Sequence, residues 1–170
     1  MLKLVRGLLT LTMVAAAVGS IAVASSSSLA KAQSKESPLL ALGGTWSGQG
    51  TINFNDGTKE RIRCRSTYTP DDNGAKLKLE LRCASDSYKF ELNSNVAYDN
   101  GQISGNWSEA SRNAAGDITG TASAGKIEVR AVGQTFAAFL NISTRGSSQS
   151  VSIKSPGSTM QEVQITLAKQ

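Results

Sequence analysis

Residues 43–83 read GGTWSGQGTINFNDGTKERIRCRSTYTPDDNGAKLKLELRC. Three runs that alternate apolar and polar residues are separated by two turn signals. Asn55-Asp56-Gly57 closes the first run, because Asn, Asp and Gly tolerate the positive φ of hairpin turns. Pro70-Asp71-Asp72-Asn73-Gly74 closes the second. Alternation puts Ile62, Cys64, Ser66 and Tyr68 on one side of the second strand. It puts Leu77, Leu79, Leu81 and Cys83 on one side of the third. The midpoint between positions 64 and 83 falls between Asn73 and Gly74, so a hairpin turning there sets the two cysteines opposite each other. They are the only cysteines in the chain. A Cys64–Cys83 disulfide is therefore predicted, contributing about 3 kcal/mol by the chain-entropy model. A strict two-residue loop would put Pro70 and both cysteines at hydrogen-bonded positions, which proline cannot satisfy. A longer loop or a bulge removes the conflict.

The opposite face of this hairpin carries Arg61, Arg63 and Arg65, opposed by Lys76, Lys78 and Arg82, with Glu60 and Glu80 interspersed. Two readings are open. The cluster can form an anion-contact stripe for phosphate or carboxylate groups. It can also be the solvated face of amphipathic strands, the reading the pattern favours, because alternation already requires polar residues there.

Outward from the hairpin the pattern repeats. Strands are expected over 45–54, 60–69, 76–84, 87–92, 95–98, 102–109, 117–122, 126–132, 135–143, 149–154 and 160–168. Turn signals lie between them, among them Asp99-Asn100-Gly101 and Ser155-Pro156-Gly157-Ser158. Ala110 to Ala115 has room for one short helical turn. About ten short strands with short links predict an all-β fold, an antiparallel up-and-down meander. Closing it into a barrel removes the exposed edges; a β-sandwich is the alternative.

Gly44-Thr45-Trp46, at the head of the meander, resembles the opening of the lipocalins and the wider calycin barrels. Gly105-Asn106-Trp107-Ser108 repeats the phrase Gly44-Thr45-Trp46-Ser47. Ile103-Ser104-Gly105 and Ile118-Thr119-Gly120 are similar to the hairpin grammar of avidin-type barrels. The resemblance implies a closed barrel with one mouth. The chain lacks the further lipocalin motifs, and its two tryptophans do not map onto the avidin ligand pocket. Gly44 and Trp46 are expected to form a barrel-end motif, with Trp46 in the core and Gly44 allowing close backbone approach. Trp107 is expected in the core as well.

Residues 1–32 carry a basic start (Lys3, Arg6), an apolar run from Leu8 to Ala24, and Ala30-Lys31-Ala32 before Gln33. This is the three-part pattern of a secretory signal peptide, and the run is short for a membrane span, which takes roughly 20 residues. Residues 33–42 are expected to be a flexible arm and 43–170 a single barrel domain, in a periplasmic or secreted protein with no transmembrane segment after cleavage. All thirteen acidic residues lie after position 32. Loss of Lys3, Arg6 and Lys31 leaves fifteen bases, so the mature net charge is +2 against +5 for the full chain. That balance gives no reason to expect nucleic acid as a partner.

The chain has no histidine. This excludes Ser-His-Asp and Cys-His sites and removes the commonest metal ligand. There is no Cys-x-x-Cys, no nucleotide loop after Gly48-Gln49-Gly50, and no facing pair of carboxylates of the kind a glycosidase needs. No catalytic residue, cofactor or metal is assigned. The expected function is a non-catalytic exported binding module for a small hydrophobic or amphipathic ligand. Its interior pocket candidates are Ile62, Tyr68, Leu77, Leu79, Leu81, Phe90 and Phe139. The alternatives are a protein-binding module, such as an inhibitor of an exported protease, and a structural envelope protein contacting anionic surface polymer through the arginine stripe.

Overall fold

The computed structural model describes residues 36–170. Residues 1–32, where a leader is expected, and the start of the arm lie outside the described residues. One 3-10 turn, Leu40–Leu42, precedes ten strands. They are β1 (Gly44–Phe54), β2 (Lys59–Pro70), β3 (Lys76–Ala84), β4 (Lys89–Asp99) and β5 (Gln102–Glu109), then β6 (Ala114–Ser123), β7 (Lys126–Gly133), β8 (Ala137–Arg145), β9 (Ser148–Lys154) and β10 (Met160–Lys169). Each strand pairs antiparallel with its sequence neighbours, and β10 pairs back onto β1 from Trp46↔Lys169 to Phe54↔Met160. The sheet is a closed barrel without free edges, as the meander predicted. Among the described residues no helix is long and apolar enough to cross a membrane.

The segments expected as separate strands over 87–92 and 95–98 are one strand, β4. The polar pair Asn93-Ser94 suggested a break. In the barrel Ser94 faces inward, and its hydroxyl donates to the Asn106 carbonyl across the ladder at 3.0 Å, so the strand runs through. No helix forms between β5 and β6. Residues 110–113 are a turn, and β6 begins at Ala114.

The central hairpin has the anticipated register, with Cys64 opposite Cys83 and Pro70 opposite Leu77. The disulfide is formed, with Cα atoms 4.1 Å apart. The loop is longer than two residues: the Asp71 N–H donates to the Lys76 carbonyl at 3.0 Å. That makes Asp71 and Lys76 a hydrogen-bonded pair. Counting along the ladder, Pro70–Leu77 and Cys64–Cys83 fall on non-hydrogen-bonded rungs. The extra loop residues thus spare the proline a donor it does not have.

Local backbone chemistry explains the bends. The β4–β5 hairpin turns on Asn100 (φ +46°) and Gly101 (φ +91°), the two positive-φ positions of a tight hairpin turn. At Gly116 a Cβ would lie 1.8 Å from the Val132 carbonyl oxygen. Only a residue without a side chain lets β6 press this closely on β7.

Candidate functional site: the barrel lumen and its two ends

The turns after β2, β4, β6 and β8 share one end of the barrel with the start of β1. The turns after the odd-numbered strands share the other. The first end is closed. Residues 37–42 are not a flexible arm there: Leu39 is fully buried and Leu42 is 3% exposed, both in the core cluster. The Ser37 hydroxyl donates to the Gly74 carbonyl at 2.6 Å and ties the segment to the β2–β3 turn. The arm carries three leucines within four residues, and their burial outweighs the freedom of a short lead-in. Trp46 is fully buried beside them, and its indole N–H donates to the Leu42 carbonyl at 2.7 Å. The Lys169 ammonium lies 5.5 Å from the Trp46 ring. Gly44, which precedes this plug, takes φ +115°.

Just inside the plug a polar layer crosses the lumen. The Tyr68 hydroxyl on β2 donates to Gln149 Oε1 on β9 at 3.0 Å. Gln149 Nε2 donates to Thr144 Oγ1 at 3.1 Å. β2 and β9 are separated by β1 and β10, so the first of these bonds spans the interior. Burial pushes the Tyr68 hydroxyl up to about 12, against the lowering effect of Ser66 and Gln149.

Above this layer the wall is apolar. Leu79, Leu81, Val129, Ile142 and Val151 point inward along the middle of their strands, yet each is only half-buried. Their outward neighbours Lys78, Glu80, Glu128, Asn141 and Ser150 are exposed, so the phase is unambiguous. In a filled barrel such mid-strand side chains are covered on every side. Here each packs against the core cluster and keeps part of its surface uncovered.

The other end is lined by aromatic rings. Phe54 and Tyr88 stack with centroids 5.5 Å apart, and Tyr88 and Phe90 with centroids 6.2 Å apart. The Arg112 guanidinium, from the β5–β6 turn, sits 4.5 Å from the Phe90 centroid and 5.8 Å from that of Tyr88. Glu109 holds this turn. Its carboxylate accepts from the N–H groups of Glu91 (2.9 Å), Ser111 (3.2 Å) and Arg112 (2.8 Å) and from the Ser111 hydroxyl. Arg112 Nη1 lies 3.6 Å away. Burial raises the Glu109 pKa, but the hydrogen bonds from Ser111, Glu91 and Arg112 together outweigh it, and the group sits below the usual carboxylate value. Glu60 also faces inward here, in phase with Ile62, and accepts from the Ser87 N–H. It does not belong to the outward stripe where sequence reasoning put it. Trp107 is 6% exposed and meets Phe136 edge-on at 5.9 Å, and among the described residues its indole N–H has no acceptor.

Of the sequence-named pocket residues, Ile62, Tyr68 and Leu77 are buried, and Leu79, Leu81 and Phe90 are partly buried on the inward face, packed against the core cluster. Phe139 does not join them. It is 48% exposed on the outer wall, with the Arg130 guanidinium 5.9 Å from its ring. The pairing Leu140↔Ile153 and Ile142↔Val151 turns the even positions of β8 inward, and the run Ala137-Ala138-Phe139-Leu140 has no polar residue to mark that phase.

Arg61, Arg63, Arg65, Lys76, Lys78 and Arg82 are all exposed on the outer wall, with Lys78 bridged to Glu80 at 2.7 Å. Arg63, Arg65, Arg82 and Lys89 border a shallow groove of about 320 Å³ over the disulfide, together with Glu91. Glu109, Arg112, Tyr88 and the buried leucines of the arm were not anticipated. For Glu109 the signal was present: it continues the inward phase of Ile103, Gly105 and Trp107.

No protein-family model matches the chain, and no curated protein matches it. Solved structures do. The crystal structure of Rv2717c from M. tuberculosis aligns at TM-score 0.59 and 14% identity, over 80% of this chain and 99% of that one. The S-type phycobiliprotein lyase CPES from Guillardia theta aligns at TM-score 0.53 and 11% identity, over 78% and 90%. The fold is calycin-like. A fatty-acid-binding protein 1 from Echinococcus granulosus aligns more loosely, at TM-score 0.47 and 13% identity, over 76% and 98%. At these identities the likeness is one of fold, and a calycin-like barrel hosts more than one chemistry.

Proposed function

We propose that the chain is a non-catalytic binding module that takes a small apolar ligand into its lumen through the open end. The half-buried ring of Leu79, Leu81, Val129, Ile142 and Val151 carries this reading. Apolar surface facing an unfilled, walled space gains when a ligand replaces water there. The closed end supports a single route of access, since Trp46, Leu39 and Leu42 leave only the end framed by Phe54, Tyr88, Phe90 and Arg112. The reading is non-catalytic because the two inward carboxylates, Glu60 and Glu109, already accept backbone N–H groups that shape the rim. Among the described residues no cluster of His, Cys, Asp or Glu could hold a metal ion. The disulfide and the leader pattern support export to the periplasm or beyond.

Titration with the uncharged fluorophore Nile red tests this. One saturable site per chain is expected, with blue-shifted emission. Leu81→Trp and Val129→Phe, which fill the lumen from opposite walls, are expected to weaken binding at least roughly tenfold, a difference of about 1.4 kcal/mol. Binding that survives both substitutions unchanged would place the dye elsewhere and remove the reading.

A second reading, a structural envelope protein contacting anionic polymer, is favoured by the groove of Arg63, Arg65, Arg82 and Lys89. Its binding to a polyanion should weaken steeply with salt. Salt-independent binding, or none, would dismiss it.

A further inference from the structure

We infer that the ligand of this lumen is uncharged. The inference rests on the lumen reading above and names the class of molecule it admits. Its basis is the placement of charge across all ten strands. On β2, β3 and β4 every lysine and arginine takes the outward phase and is exposed. The same holds for Lys126, Arg130, Arg145 and Lys154. Lys169 has the inward phase but is exposed at the closed end. It lies two residues beyond Leu167, the partner of Gln149, with its ammonium against Trp46. Among the described residues, the lumen between the Tyr68–Gln149 layer and the open end therefore holds no cation.

The consequence is chemical. A carboxylate, phosphate or sulfate head drawn in with an apolar tail would lose its hydration and find no opposite charge, which is strongly unfavourable. The polar groups it would meet at the inner end are Tyr68, Gln149 and Thr144, all neutral. Burial holds the Tyr68 hydroxyl protonated far above physiological pH. Such groups suit a hydroxyl or carbonyl, not a full negative charge.

An anionic head left at the open end fares no better. Two carboxylates, Glu60 and Glu109, face that end against one guanidinium, Arg112, a net of −1. Glu109 stays ionised because its hydrogen bonds hold its pKa down. Arg112 is already engaged by the Phe90 and Tyr88 rings, by Glu109 and by the Lys89 carbonyl. The rim thus disfavours anions and the lumen disfavours every ion. What remains is a neutral, largely hydrocarbon molecule with at most a hydroxyl, ester or ketone.

The test compares two probes that differ by one charge: a dansyl-labelled undecanoic acid and its methyl ester, titrated at pH 8 and low salt. The ester is expected to bind at least roughly tenfold tighter. Glu60→Gln should narrow the ester-over-acid preference about two- to fivefold, because it removes one repelling charge from the rim. Acid binding equal to or tighter than ester binding would overturn the inference while the lumen reading stands. If Arg112→Gln then abolished the acid's advantage, the rim guanidinium would be the anion site. Binding of neither probe while Nile red still binds would remove chain-like neutral ligands, and the inference with them. Failure of Nile red as well would remove the lumen reading itself.

Discussion

The two ends of the barrel are built around a tryptophan each, and they differ in how completely that tryptophan is satisfied. At the closed end Trp46 is fully buried, with its N–H on the Leu42 carbonyl at 2.7 Å. At the other end Trp107 is almost as buried, but its N–H has no acceptor among the described residues and its neighbour Phe136 is 38% exposed. One phrase, Gly-x-Trp-Ser, occurs at both sites. What separates them is the chain around each. Residues 37–42 fold under Trp46 and supply a carbonyl. Trp107 is covered instead by Phe136 beyond the end of β7, an apolar ring that supplies no acceptor. An unpaired buried donor forgoes about 1–3 kcal/mol, so the closed end should carry stability and the open end should be able to rearrange.

The sharpest way to break this contrast is to delete the plug. Trp46→Ala is expected to cost about 3–5 kcal/mol, read as a lowered urea midpoint in equilibrium unfolding. A loss under 1 kcal/mol would mean that the closed end is not the stability centre. Removing the disulfide with Cys64→Ser and Cys83→Ser is expected to cost about 3 kcal/mol and to act on the side wall rather than on either end. Nile red affinity should therefore fall little at temperatures where the variant remains folded. Smaller in effect, but more diagnostic, is the pair Trp46→Phe and Trp107→Phe. The first loses a buried hydrogen bond and leaves a carbonyl unpaired, at about 1–3 kcal/mol. The second removes a donor that has no partner and should fall within about 0.5 kcal/mol of wild type. Equal losses would dissolve the contrast.

The smallest expected effect lies in the pH dependence of the open end. Glu109 has a folded pKa below its ordinary value of 4.5. Its contribution is complete above the unfolded pKa and is lost as pH falls through the folded one. Acidification below about pH 4.5 should therefore loosen the β5–β6 turn, seen as faster amide exchange at Ser111 and Arg112. Glu109→Gln should remove that acid sensitivity. Exchange that stays flat on acidification in the wild type would show that the carboxylate does not hold the turn.

Much of the fold could be read before any coordinate was known, because barrels of this kind are encoded locally. Asn100-Gly101 asks for a hairpin, the alternation in β3 gives its face, and the symmetric spacing of Cys64 and Cys83 gives a register. Information failed where it was not local. Leu39 and Leu42 looked like a lead-in because nothing nearby in sequence covers them; their cover comes from Trp46 and the floor of the barrel. Phe139 was misplaced because its flanking residues are apolar on both sides, so only pairing with β9 fixes its phase. Glu60 was misread even though its parity with Ile62 pointed inward, since a glutamate among arginines suggests a surface ion pair. The partial burial of Leu79, Leu81, Val129, Ile142 and Val151 is the least local property of all. It depends on ten side-chain volumes meeting around one axis, and no single strand contains it.

The seam between β1 and β10 sets an order of events in synthesis. The first strand to leave the ribosome must wait for the last, with the backbone bond from Gln170 to Thr45, at 2.9 Å, among the final stitches. Until then the growing sheet presents two unpaired edges, open to pairing with other chains. Closing the longest loop in the molecule comes late and slowly. A chain cut short before residue 160 would keep those edges permanently. Strand β10, Met160–Lys169, therefore decides whether the barrel closes or is left with edges that invite aggregation.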